Sequence, residues 1–152
     1  MTITLEAIKA EHTKVTEMIA AFEKQSATTE YRVAAATISL AAGERYAGII
    51  LGENGEADYH LILLPGEAEE IRWEDAGKWA AERGGALPTR REQSLLFANL
   101  KGEFQSAWYW SGQQHENDSG WAWFQSVYDG YQGYDPKSYE LRARAVRRLV
   151  LL

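Results

Sequence analysis

The sequence predicts an α+β fold, in which an N-terminal amphipathic helix precedes a domain of short antiparallel strands and two further helices. Apolar residues near the N-terminus recur at helical spacing, and an Asn54-Gly55 dipeptide separates two strand-like runs. Glycine-spaced aromatic residues then dominate the C-terminal third. The 152 residues suit one domain with a short appendage. We therefore expect a helix at residues 1–27 and a single domain at residues 28–152.

The composition excludes several classes of protein. A formal net charge of -6 and a pI near 5.1 oppose nucleic-acid binding, which needs a basic surface. The chain has no cysteine, which excludes thiolate metal sites and cysteine nucleophiles. The first residues lack the features of a signal peptide, and no run reaches the roughly 20 apolar residues of a membrane span. We expect cytoplasmic synthesis without a signal peptide, and we leave association with a virion open.

The N-terminal helix has one apolar side. Thr4 can cap it, and the acidic Glu6 suits the first turn. Because an isolated helix of this length is marginal in water, the apolar side must be buried on something. We expect a coiled coil that makes a homo-oligomer, with a trimer favoured; packing against the chain's own domain is the alternative. The oligomerisation seam, spaced by threes and fours, is Leu5, Ile8, His12, Val15, Ile19 and Phe22.

Strand-like runs follow a predicted linker at residues 26–30. They are TISL at residues 37–40, RYAGIIL at 45–51 and YHLILLP at 59–65. Asn54-Gly55 lies between the last two runs and is typical of a hairpin turn. Near the C-terminus, WYWS and GWAWFQSV are also predicted strands. The last run, LRARAVRRLVLL, is predicted to be one strand that pairs with early ones.

Two helices are predicted between these groups of strands. The first covers residues 73–83 and ends at Gly84-Gly85. The second begins after Thr89, where Glu92 completes a capping box. We expect the second helix to bury Leu95, Leu96 and Leu100.

An ordered set of motifs adds a resemblance. GGALPTRREQSLLFANL, WYWSGQQ, GWAWFQSVYDG and KSYELRARAVRRL together resemble the C-type-lectin-fold domains of bacteria and prophages. These include the family related to the C-terminal domain of a Legionella collagen-like adhesin. They also include variable proteins diversified by retroelements, of the phage major tropism determinant type. The resemblance begins near Ala42 and implies a C-type-lectin-like fold whose scaffold holds a solvent-facing binding surface.

The resemblance assigns two sets of residues by position. The scaffold it implies is Leu87, Pro88, Arg90, Glu92, Trp108, Trp110, Ser111, Trp121, Phe124, Gly130, Lys137, Arg142, Arg144, Val146 and Arg147. The displayed, ligand-binding set it implies is Gln113, Gln114, His115, Glu116, Asn117, Asp118, Ser126, Tyr128, Asp129, Tyr131, Gln132, Tyr134, Asp135, Tyr139 and Glu140.

The residue types of the displayed set agree with a binding surface. Tyrosine gives a large contact area at low entropic cost, and small polar residues supply adaptable hydrogen bonds. Tyr128, Tyr131 and Tyr134 are spaced by three and separated by Asp-Gly and Gln-Gly, which favours an exposed loop. The alternative is that these tyrosines edge the core at turns.

Metal binding and catalysis have weaker support. Glu116, Asn117 and Asp118 offer hard oxygen ligands of the kind that calcium prefers, but three adjacent polar residues are more often an exposed loop. The histidines lie in no recognisable catalytic motif, and His60 is expected to be structural. We therefore predict neither a metal, a cofactor nor an enzymatic activity.

Three functions are compatible with this sequence. The first is a phage- or prophage-type protein that binds a protein or glycan, as a receptor-binding or tail-associated component. The second is a small cytoplasmic phage protein that inhibits or regulates a host protein, such as a defence component. The third is a structural virion component whose aromatic surface is a permanent interface.

Overall fold

The computed structural model describes residues 2–26, 29–33 and 35–151. It divides the chain into two units, Met1–Ala36 and Thr37–Leu152. The first contains one helix and the second contains two sheets with two helices, so the α+β class is confirmed. In chain order the elements are α1 (Leu5–Ser26), β1 (Arg45–Ile50), β2 (Tyr59–Leu63), β3 (Ala68–Ile71), α2 (Trp73–Glu82), α3 (Arg90–Leu100), a 3-10 turn (Lys101–Glu103), β4 (Trp108–His115), β5 (Asp118–Ser126), β6 (Gln132–Pro136), β7 (Leu141–Ala143) and β8 (Val146–Val150).

The N-terminal unit consists of α1 and the segment that follows it. The hydroxyl of Thr4 accepts a hydrogen bond from the Ala7 backbone N–H at 3.2 Å, as expected of a cap. The five apolar seam residues are each more than half exposed, and His12 is exposed as well. Two residues of the predicted linker, 27 and 28, lie outside the described residues. None of the helices in the described part of the chain is long and apolar enough to cross a membrane.

The first sheet of the second unit has the strand order β1-β2-β8. The hairpin between β1 and β2 is confirmed, and Asn54 and Gly55 both have positive φ, 52° and 85°. The predicted pairing of the C-terminal strand with an early one is also confirmed, because β8 runs antiparallel to β2. The predicted strand at residues 37–40 is wrong. That segment joins no sheet, and an Arg147 side chain holds it instead by donating to the carbonyl of Ser39 at 3.2 Å.

The second sheet has the strand order β3-β7-β4-β5-β6. Its long central pair, β4 and β5, is antiparallel, and β6 pairs with the far side of β5. The edge strand β3 contains Glu69 and Glu70, an acidic pair that does not have the composition of a strand. It forms because Ala68 and Ile71 pair with β7, a contact between residues about 70 positions apart in the sequence.

The prediction of one continuous C-terminal strand is wrong. Arg144 and Ala145 separate β7 from β8, and the two strands belong to different sheets. Arg144 is 7% exposed and its guanidinium donates to the carbonyls of Glu103 and Leu64 at 2.5 and 2.9 Å. The backbone N–H of Leu64 in turn donates to the Ala145 carbonyl at 2.9 Å. These contacts hold the chain where it passes from the second sheet to the first. The sequence gives no sign of this break, because arginine and apolar residues alternate through it without interruption.

The helices of the second unit lie on different core clusters. Ala76 and Ala80 of α2 pack with the buried Trp110 and Phe124 of the second sheet. Leu96 of α3 packs with Leu61 and Val146 of the first sheet. Of the three leucines expected to be buried by α3, Leu96 is buried, whereas Leu95 and Leu100 are partly buried. The capping box of Thr89 and Glu92 is present as predicted, so α3 begins where the sequence indicates.

Candidate ligand-binding face

Strands β5 and β6 place large aromatic side chains on one side of the second sheet. Their register pairs Trp123 with Tyr134 and Trp121 with Pro136. Because side chains alternate across a strand, Trp121, Trp123 and Tyr134 share one side. Ala122 and Phe124 point to the other side, where they join the core.

His115, at the end of β4, completes this group of rings. Its imidazole lies 5.3 Å from Trp123 in a stacked geometry and 4.3 Å from Tyr134, measured between ring centroids. Tyr134 also meets Trp121 and Trp123 edge-on, at 5.9 and 5.1 Å. All four rings are at least partly accessible, and Tyr134 is 48% exposed. We call the group of His115, Trp121, Trp123 and Tyr134 the aromatic face.

Two charged side chains fix Trp123 at the centre of the aromatic face. The guanidinium of Arg90 lies over the indole at 3.5 Å from the ring centroid, a cation–π contact. The indole N–H donates to Glu116 Oε1 at 3.2 Å. Hydrogen bonds from the Glu116 backbone and from the Trp123 indole, with His115 and Arg90 nearby, hold the pKa of the Glu116 carboxyl below its usual value. An ionised, exposed carboxylate therefore borders the rings at neutral pH.

Two of the predicted ligand-binding residues instead tether α3 to the sheet. The Gln113 side-chain oxygen accepts from the backbone N–H of Arg90 at 2.8 Å. The Gln132 amide donates to the Arg90 carbonyl at 2.8 Å and to the Gln125 side chain at 2.9 Å. Since these amides are engaged within the protein, their main effect is to position Arg90 beside the aromatic face.

The exposed loop predicted at residues 116–118 is a tight hairpin turn between β4 and β5, so it is shorter than expected although all three residues are exposed. His115 belongs to β4, Asp118 begins β5, and only Glu116 and Asn117 form the turn. The backbone N–H of Asn117 donates to His115 Nδ1 at 3.2 Å, and that of Gly120 donates to Asp118 Oδ1 at 3.0 Å. These local bonds hold the chain in a turn. The described residues contain no group of three or more histidine or acidic side chains that could hold a metal ion.

The tyrosines of the predicted binding set do not form one surface. Tyr128 lies in a turn and Tyr131 precedes β6, as the predicted loop requires, but Tyr134 lies within β6, so the loop prediction is wrong at Tyr134. Tyr131 lies on the opposite side of the sheet, where its ring meets the edge of Phe124 at 6.3 Å. Tyr128 and Tyr139 lie in the turns that precede and follow β6. All four are exposed, yet only Tyr134 joins the aromatic face.

Two further residues of the predicted binding set are directed inward. Ser126 is 3% exposed, so the expectation that it is displayed is wrong. Its position follows from alternation on β5, which places it on the same side as Phe124. Asp135 is paired with Ala122 on that side, and burial raises the pKa of its carboxyl. Its Oδ2 atom is buried with no hydrogen-bond partner among the described residues.

The tryptophans expected to build the scaffold divide between core and surface. Trp110 is fully buried, and its indole N–H donates to the Ile71 carbonyl at 2.8 Å. Trp108, two residues earlier, is 47% exposed. Trp121, which the resemblance places in the scaffold, and Trp123, which it does not assign, both belong to the aromatic face. The alternation in GWAWFQS was the available signal, because residues 121 and 123 must share a side if that segment is a strand.

A polar groove of about 560 Å³ adjoins the aromatic face at the N-terminus of α3. Arg90 lines the groove and also lies over Trp123, so the groove and the rings are continuous through this residue. Gln132, which accepts a hydrogen bond from Arg90 at 3.2 Å, lines the groove as well. Its other lining residues come from the β1–β2 turn, from β2, from α3 and from β4, and include Glu53, Tyr59, Arg91, Ser94 and Gln113. No model of a known protein family matches this chain, and no curated protein matches it either.

Proposed function

We propose that the second unit is a non-enzymatic binding domain whose ligand, a protein or a glycan, docks on the aromatic face. The observation that carries this proposal is the contiguity of four accessible rings on one side of the second sheet. Contiguous apolar patches on soluble proteins mark interaction sites, and aromatic residues dominate the energetics of such sites.

The polar side chains around the aromatic face suit a ligand with many hydroxyl or amide groups. Glu116 supplies an acceptor, and the side chain of Gln114, held by Lys137 at 2.7 Å, lies on the same hairpin. The flat indoles supply stacking surfaces, and the Arg90–Trp123 contact fixes one of them before a ligand arrives. Pre-organised aromatic anchors reduce the entropy that binding would otherwise cost.

The proposal extends to presentation by α1. The apolar seam of this helix has the spacing of a coiled coil, and its apolar members are more than half exposed. A homo-oligomer, with a trimer favoured, would present several aromatic faces together and raise the apparent affinity through effective concentration. With the motif resemblance, this arrangement supports a C-type-lectin-like, phage- or prophage-type receptor-binding or tail-associated role.

A glycan array probed with the full chain tests the ligand class, and substitutions on the aromatic face test the site. Trp121→Ala and Tyr134→Ala should each abolish detectable binding. Tyr128→Ala and Tyr139→Ala are the matched controls, because both side chains are exposed but lie away from the aromatic face. Equal loss of binding in the controls would refute the assignment.

Melting temperatures separate a binding role from a structural one. Trp110→Ala removes a fully buried indole and is expected to cost about 3–5 kcal/mol of unfolding free energy. Trp121→Ala and Tyr134→Ala remove partly exposed rings, each with edge contacts worth about 0.5–1.5 kcal/mol. We expect them to cost less than half as much as Trp110→Ala; a comparable cost would show that these rings are core residues.

A further inference from the structure

Another exposed aromatic residue, Trp108, lies away from the aromatic face, at the start of the central strand β4. Trp108 stacks on Phe124 with ring centroids 4.5 Å apart and an interplanar angle of 14°. Phe124 is 3% exposed and belongs to the core, so it supports the indole rigidly from one side. Trp108 is 47% exposed and lines a groove of about 450 Å³. An indole is a costly group to leave in water, and this one is held in a fixed orientation.

The groove beside Trp108 is rimmed by carboxylates. Glu69, Glu70 and Glu140 line it, together with a single cationic side chain, that of Arg142. Arg142 is already engaged: its Nη1 atom donates to Glu67 at 2.6 Å and to Glu69 at 3.1 Å. The carboxylates of Glu70 and Glu140 form neither an ion pair nor a hydrogen bond with any other described residue. The groove therefore combines an aromatic surface with two carboxylates that no cation neutralises.

We propose that this groove binds an arginine or lysine side chain from a basic segment of a partner protein. Tryptophan is the best aromatic group for a cation–π contact, and nearby carboxylates add direct electrostatic attraction. A neutral or anionic occupant would leave the two carboxylates without a counter-charge, whereas a cation both neutralises them and contacts the indole. Glu69 and Glu70 are exposed on the edge strand β3, where a side chain from another molecule can reach them.

Binding of a labelled hexa-arginine peptide to the full chain, followed by fluorescence anisotropy, tests this proposal. Hexa-citrulline is the matched ligand, because it has nearly the same shape and no charge. We expect hexa-arginine to bind and hexa-citrulline to bind at least about ten-fold more weakly. Trp108→Ala should raise the Kd for hexa-arginine at least about five-fold, as the loss of a cation–π contact with partial desolvation implies. Trp108→Phe keeps the ring on Phe124 and should give a smaller increase.

The acidic character of the whole chain requires a charge control. Glu70→Gln with Glu140→Gln removes the two unpaired carboxylates and should also raise the Kd at least about five-fold at low salt. Glu56→Gln with Glu82→Gln makes the same change of charge at exposed residues outside the groove and should alter the Kd less than two-fold. Equal effects of the two pairs, or an unchanged Kd in Trp108→Ala, would overturn the proposal, as would equal affinity for the two peptides.

Binding of hexa-arginine in the groove should not depend on the aromatic face. Trp121→Ala should leave hexa-arginine binding unchanged, because Trp121 and Trp108 lie on different strands. Among the described residues the Trp108 ring stacks on Phe124, whereas the Trp121 ring meets Tyr134. Loss of peptide binding in Trp121→Ala, with Trp108→Ala unaffected, would assign the cation to the aromatic face instead and refute the groove.

Discussion

Substitution of Glu92 by glutamine should destabilise the second unit by about 3 kcal/mol, because it breaks a buried ion pair. Glu92 is completely buried and accepts two hydrogen bonds from Arg148, at 2.6 and 2.7 Å. It also accepts from the Tyr59 hydroxyl and the Thr89 backbone N–H, both at 2.7 Å. This one carboxylate therefore joins α3 to both β2 and β8.

The size of the destabilisation follows from the ion-pair partner that each charged group loses. Removing one partner of a buried ion pair typically costs about 3–5 kcal/mol, because the other charge is left without compensation. The Arg148 side chain is 35% exposed and can regain water, which places Glu92→Gln at the low end. Arg148→Met is the harsher change, since it leaves a fully buried carboxylate with no cation, and it should cost about 4–5 kcal/mol. The double variant should be more stable than the sum of the two single effects predicts, by at least about 2 kcal/mol.

Urea unfolding at neutral and acid pH is the assay. Burial raises the pKa of Glu92, but the hydrogen bonds from Arg148, Thr89 and Tyr59 outweigh it, and the pKa in the folded state lies below the ordinary value. A carboxyl with a lowered pKa stabilises the fold fully above its unfolded pKa, and this contribution is lost as the pH falls through the folded pKa. The difference between wild type and Glu92→Gln should therefore be full at about pH 7 and shrink below about pH 4.

An exposed ion pair provides the comparison. Glu53→Gln removes the partner of Arg91 in a pair 3.4 Å apart whose side chains are 51% and 63% exposed, and it should cost less than about 1 kcal/mol. A cost for Glu92→Gln no larger than that of Glu53→Gln, or one that does not change with pH, would refute the reasoning.

Two further predictions concern the backbone and the N-terminal helix. Gly85→Ala should lower the free energy of unfolding by about 1–3 kcal/mol, because a Cβ atom there would lie 2.5 Å from the Val146 carbonyl oxygen. Gly77→Ala has open space around it in α2 and should stabilise the protein by about 0.5–1 kcal/mol. Thermal unfolding measures both changes. If α1 forms the proposed oligomer, Ile8→Asp with Ile19→Asp should convert it to a monomer in sedimentation equilibrium, because each places a charge on the apolar seam.

Each of these predictions has a clear contrary result. A loss of stability in Gly77→Ala as large as that in Gly85→Ala would show that the loss does not come from the close backbone approach. For α1, the control is Ala10→Asp with Thr13→Asp, which adds the same charge on the opposite side of the helix. It should leave the mass of the oligomer unchanged. A monomeric mass for the wild type would refute the oligomer directly.

The sequence by itself determined the features that depend on neighbouring residues. The α1 pattern, the Asn54-Gly55 turn and the Thr89–Glu92 capping box all result from interactions across two to four positions, and the structure has each of them. The sequence of β5 also contains the alternation of buried and accessible residues that puts Trp121 and Trp123 on one side of the sheet.

Only the tertiary structure decided the features that depend on distant partners. β3 forms because β7 pairs with it, and the apparent final strand divides because Arg144 is held by carbonyls 41 and 80 positions away. The aromatic face has the same origin: His115 and Tyr134 meet across β5, and Arg90 reaches Trp123 from another element. Composition predicted that aromatic residues would be displayed, but the register of the strands determined which side of the sheet each one occupies, since a shift of one residue reverses every side chain.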